Sequence, residues 1–125
     1  MYLLDTHTLL WLLFRKDNLS FKAKLIINNA DSLHCSIASL WEIAIKQSLG
    51  KLEFDEDINE IYRKCIKKNI DFVGIDPDYC EEIKNLPLKH SDPFDRMIIA
   101  QAIINKFKVI SKDKMFEKYP IEVVW

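Results

Sequence analysis

The sequence predicts an α/β fold, a mainly parallel sheet with helices on both faces, and three observations carry it. Five short apolar runs of strand length are spread along the chain: MYLL (1–4), SLHCS (32–36), DFVGI (71–75), KVIS (108–111) and IEVVW (121–125). Stretches of helical length and pattern lie between most of them, so strand and helix alternate almost throughout, which implies right-handed crossovers between parallel strands. Several runs are apolar at successive positions, as strands covered on both faces are.

The elements follow in order. MYLL leads directly into THTLLWLLFR, an apolar helix, and SFKAKLIINNA then offers a second helix with Ser20 as its N-cap. After SLHCS comes IASLWEIAIKQSL, closed by Gly50. DEDINEIYRKCIKKN places acids first and lysines last, the order the helix dipole favours. DFVGI follows, and PDYCEEIKNL and PFDRMIIAQAIINKF start on Pro77 and Pro93, residues suited to a first helical turn. KVIS and IEVVW complete the strands. Gly50 and Gly74 are the only glycines, and no repeat or Pro/Ser-rich linker divides the 125 residues, which predicts a single domain over residues 1–125.

Composition narrows the function classes. Hydrophobic residues make up 49% and charged residues 30%, with a formal net charge of -1, so the chain is globular and not strongly basic. Contact with a phosphate backbone would therefore need a local patch or a bound cation. Cys35, Cys65 and Cys80 are odd in number and form no CxxC pair, which points to reduced intracellular thiols and away from a disulfide framework or a zinc site. The apolar run LLWLLF (9–14) is far too short to span a membrane, and the expectation is a cytoplasmic protein with no membrane partner.

The chemistry lies in four carboxylates. In an open parallel sheet ligands bind beyond the carboxyl ends of the strands. Asp5 ends the first run, Glu42 lies early in the helix after SLHCS, Asp95 falls in the first turn after Pro93, and Asp113 follows KVIS, so all four belong to one edge. Each has a plainer role: Asp5 and Asp113 suit N-caps, Asp92 with Asp95 resembles a capping box, and Glu42 precedes Lys46 by four residues, the spacing of a helical ion pair. Capping is done equally well by Ser, Thr or Asn, however, whereas ionised carboxylates gather a hard divalent cation. Glu42, flanked by Leu40, Trp41, Ile43, Ala44 and Ile45, caps nothing.

An oxygen-rich set of Asp and Glu favours Mg²⁺ or Mn²⁺ and suits in-line displacement at a phosphodiester. Thr6 and Ser111 are placed either to orient these carboxylates or to serve as ordinary cap and turn residues. Lys46, Lys51, Lys89, His90, Arg96 and Lys112 are candidate phosphate contacts, Lys46, Arg96 and Lys112 foremost among them. His7 is expected to be a hydrogen-bonded structural residue, and Trp11, Trp41 and Trp125 core or interface. Two other phosphoryl-transfer plans fail: DTH lacks the second aspartate of a haloacid-dehalogenase-like phosphatase, and two isolated glycines cannot form a P-loop.

Four segments together carry a resemblance. MYLLDTHTLLW, SIASLWEIAIKQSLGKL, HSDPFDRMIIAQA and VISKD resemble, in order, the acidic motifs of the PIN domain, and within it of the VapC-type toxin nucleases. The resemblance implies a PIN-like three-layer α/β/α fold, an acidic metal site of Asp5, Glu42, Asp95 and Asp113, and Asp92 as an accessory acid or a cap. It also implies metal-dependent cleavage of RNA, a homodimer, and a VapB-like antitoxin that blocks the site. A catalytically silent PIN-like module that binds RNA or protein is the alternative. NKFKV departs from the pattern, since many relatives carry a glycine before the fourth strand.

Overall fold

All five expected strands pair in one sheet. In the computed structural model, which describes residues 1–125, β1 (Tyr2–Leu4), β2 (Leu33–Ser36), β3 (Ile70–Val73), β4 (Lys108–Ile110) and β5 (Val123–Val124) lie in the order β3-β2-β1-β4-β5. Every neighbouring pair is parallel. Helices α1 (Thr6–Phe14) and α2 (Phe21–Asn29) connect β1 to β2, α3 (Ile37–Ser48) and α4 (Ile58–Lys67) connect β2 to β3, and α5 (Pro77–Asn85) and α6 (Pro93–Asn105) connect β3 to β4. A 3₁₀ turn over Lys114–Lys118 precedes β5.

The sheet separates two apolar layers because consecutive strand residues face opposite sides. Leu4 packs with Leu9, Leu10, Ile43, Ile61 and Ile70 on one face, while its neighbour Leu3 packs with Ile98, Ile99, Val109 and Phe116 on the other. This explains the continuous apolar runs: β1 is central, and Leu3 and Leu4, on its opposite faces, are both fully buried.

The strand order also locates the site. From β1 the chain adds β2 and β3 on one side, then crosses back to place β4 and β5 on the other. Winding reverses between β1 and β4, which leaves a crevice beyond their carboxyl ends. Leu4 lies opposite Ile110 in register, and the Asp5 N–H donates to the Ile110 carbonyl at 3.3 Å, so Asp5 and the segment after β4 emerge side by side.

Helix ends depart from expectation in two places. Helix α4 starts at Ile58 because Asp57 caps it, accepting from the Asn59 N–H at 2.8 Å, so Asp55 and Glu56 lie outside the helix. Helix α6 stops at Asn105, short of Phe107, which is buried in the second apolar layer. Lys106 makes this turn in the left-handed conformation at φ 58°, its N–H capping the Ala102 and Ile103 carbonyls. The chain thus performs without glycine the turn for which NKFKV looked atypical. Lys106 is exposed, so Lys106→Gly is expected to stabilise the fold by about 0.5 to 1 kcal/mol, the left-handed penalty less the greater unfolded freedom of glycine, as measured by thermal unfolding.

Candidate metal centre

The crevice is a cleft of about 450 Å³ lined by Asp5, Glu42, Asp92, Asp95 and Asp113 with Lys46, Lys112, His7 and His90. Its walls are polar except at Trp11. Five carboxylates against two lysines make it an acceptor of cations, not an apolar ligand pocket.

Each acid is held by its element. Asp5 caps α1: Oδ1 accepts from the Thr8 N–H at 2.8 Å, and Oδ2 accepts a short hydrogen bond from Ser111 Oγ, which reaches across from the end of β4. Glu42 projects from α3, where Oε1 accepts from Thr6 Oγ1 at 2.6 Å and Oε2 from Lys46 Nζ at 2.6 Å. Asp95 sits in the first turn of α6, which is capped by Asp92, whose Oδ1 accepts from the Asp95 N–H at 2.9 Å. Asp95 Oδ2 lies 2.7 Å from His90 Nε2. Asp113 caps the 3₁₀ turn, accepting from the Met115 N–H, while its own N–H donates to Ser111 Oγ. Capping and a place in the cleft are therefore compatible for Asp5, Asp92 and Asp113, while Glu42 and Asp95 reach the same cleft without capping anything.

Burial makes this convergence costly. Asp5 and Glu42 are 6% and 4% exposed. Burial pushes the Asp5 carboxyl above the usual range despite the hydrogen bonds from Ser111 and Thr8. Asp95 is pushed up to about 7, first by burial and then by the charges of Asp92, Glu42 and Asp5, against the lowering effect of His90. Lys46 loses by its burial, but Glu42 outweighs that loss and holds the ammonium above its ordinary value.

The donor set fits a hard divalent ion. One ligand atom each from His90, Asp95 and Asp113 lies within 4.8 Å of the other two, and mutual repulsion among the acids is what such an ion relieves. With the His90 imidazole serving as the partner of Asp95, the set stays oxygen-rich.

Of the candidate phosphate contacts, Lys46, His90 and Lys112 line the cleft and Lys51 and Lys89 do not. Arg96 points away. Its guanidinium donates to the carbonyls of Ile83, Leu86, Pro87 and His90 and to Tyr119 Oη, all at 3.1–3.3 Å, and so fastens the loop between α5 and α6. His7 is not the hydrogen-bonded structural residue expected: it is exposed at the cleft, its ring 5.6 Å from that of Trp11, one helical turn on. Trp41 is 58% exposed and meets Phe94 edge-on, outside the core. The His90–Asp95 contact escaped the sequence because a spacing of five across a loop-to-helix junction belongs to no regular period.

Residues 2–122 match the PIN domain model. The chain belongs to the PIN domain family. Among PIN-type relatives it is 26% identical over 118 residues to Ribonuclease VapC22 of Mycobacterium tuberculosis, covering 94% of this chain and 90% of that one. The fold matches that of a chain in VapBC2 from Rickettsia felis bound to a promoter DNA fragment (TM-score 0.70, 15% identity, 98% and 96% of the two chains). It likewise matches one in DNA-bound VapBC from Salmonella typhimurium (TM-score 0.69, 19% identity, 98% and 96%). The parallel sheet between two helical layers is thus the PIN fold, and the cleft sits at its switch point. No helix is long and apolar enough to cross a membrane.

Proposed function

We propose that this PIN domain is a divalent-metal-dependent endoribonuclease, the toxin of a VapBC-type pair. The observation that carries the reading is the convergence of Asp5, Glu42, Asp95 and Asp113, from four separate elements, on one polar cleft. The relative named Ribonuclease VapC22 and the structural likeness to VapBC complexes support the activity and the VapB-like partner. The silent alternative has no such support, since none of the four acids is missing.

Asp95, Asp113 and Asp5 would hold Mg²⁺ or Mn²⁺, with Glu42 close by. Such an ion, when bound, supplies Lewis-acid polarisation of a phosphoryl oxygen and lowers the pKa of water. The chain's own groups do the rest. Ser111 and Thr6 fix the rotamers of Asp5 and Glu42, and His90 fixes Asp95 through Oδ2. Lys112 stands at the cleft to meet a phosphate. Attack of water at phosphorus with departure of the 3′ oxygen leaves 5′-phosphate ends.

An antitoxin would inhibit by placing an Arg or Lys among these acids, where a cation compensates them. The proposed homodimer is supported by an apolar groove beside the cleft, in which Trp41, Ile75 and Leu88 are exposed next to Pro93, Phe94 and Met97. Sequencing of RNA ends after brief induction tests the reading. New 5′ ends are expected with the parent chain and none with Asp5→Asn; identical ends in both would leave only the binding module.

A further inference from the structure

Glu42 is the acid of this cleft whose charge the chain compensates at closest range. Both of its oxygens are engaged, as are those of Asp5, but only Glu42 has an ammonium among its partners: Oε1 accepts from Thr6 and Oε2 from Lys46, each at 2.6 Å. Lys46 follows one helical turn later on α3 and is half-buried, its side chain 33% exposed, where a free surface lysine would extend into water. It also feels the charges of Asp92 and Asp95. Asp95 and Asp113 differ from Glu42: each has one oxygen that accepts from the chain, His90 and the Met115 N–H being the partners, and one that accepts nothing. They are also the two acids whose ligand atoms cluster with His90.

We infer that Lys46 takes the place of a second divalent ion, so that the cleft holds one ion at its Asp95–Asp113 end while Glu42 is committed to the lysine. This rests on the metal-site reading above. An ion bound at Glu42 would have to displace an ammonium already at contact distance and then face its charge across a partly buried site. Lys46 is on this account a positioning residue: it sets how many ions the acids collect, and it acts through Glu42.

Titration of the metal-free protein with Mn²⁺, followed by electron paramagnetic resonance, reads both the number of ions and whether two are close enough to couple, as ions about 3.5–4 Å apart do. The parent and Lys46→Arg are expected to bind one uncoupled ion. Lys46→Met and Lys46→Gln, checked for folding by circular dichroism, are expected to bind two coupled ions, the second lost when Glu42→Gln is added. Mg²⁺ should also raise the melting temperature of Lys46→Met more than that of the parent. A coupled pair in the parent protein overturns the inference without recourse to any variant. So does a single ion in both folded neutral variants, which leaves the metal site itself standing. A parent that binds no Mn²⁺ removes the metal reading and this inference with it.

Discussion

Asp95→Asn is expected to stabilise the metal-free protein by about 2 kcal/mol at pH 8 while lowering RNA cleavage by about 10²-fold or more. Asp95 is raised to about 7 in the fold, by burial first and by Asp92, Glu42 and Asp5 next. Between about pH 4, where the unfolded carboxyl releases its proton, and pH 7, where the folded one does, the folded state holds the extra proton. Stability contributed by this group is therefore full below pH 4 and is lost as pH rises to 7. The amide does not titrate, so the gap between variant and parent should open across that window and stay open above it. Mg²⁺ should reverse the order, because it binds the parent's folded state. Urea unfolding at pH 4, 6 and 8, in chelator and in Mg²⁺, checks each point. Asp113 is exposed, so Asp113→Asn should give a smaller gain for a comparable loss of cleavage.

Arg96→Met is expected to destabilise the fold by about 3 kcal/mol. It would leave four carbonyls and Tyr119 Oη without their cationic donor, and these anchor the segment that carries His90 and leads into Asp95. Arg96→Lys should recover only part of the loss, because an ammonium cannot span five acceptors that a planar fork reaches together. Denaturant unfolding measures this. A variant as stable as the parent, but with weaker RNA binding and a shallower salt dependence, would instead make Arg96 the phosphate contact that its position in the sequence suggested.

The difference between Arg96 and Asp95, neighbours in one helical turn, shows what a sequence can disclose here. The fold class was legible because apolar runs and helical periods are local, but the switch point was not, since alternation of strand and helix does not say where the winding reverses and only the strand order does. The acids were legible because each stands at a strand end or in the first two turns of a helix, where the backbone direction decides where a side chain goes. Lys46 was half legible: its spacing from Glu42 announced the ion pair, but not that Glu42 would be almost fully buried in it. His90 and Arg96 were hidden because their partners are set by the loop between α5 and α6, whose path depends on tertiary contacts such as Tyr119 Oη donating to the Pro87 carbonyl at 2.9 Å. Lys106 was hidden for a related reason, since its left-handed turn is imposed by burying Phe107 and not by its own preference.

If these acids act together on RNA through a divalent ion, the chemistry of the cut ends will show it. Purified protein incubated with RNA in Mg²⁺, and again after exhaustive chelation, should yield 5′-phosphate and 3′-hydroxyl ends in the first case and no cleavage in the second, with Asp95→Asn about 10²-fold or more slower in Mg²⁺. Cleavage that persists in chelator, or products ending in 2′,3′-cyclic phosphate, would rule out hydrolysis by a metal-activated water at this cleft.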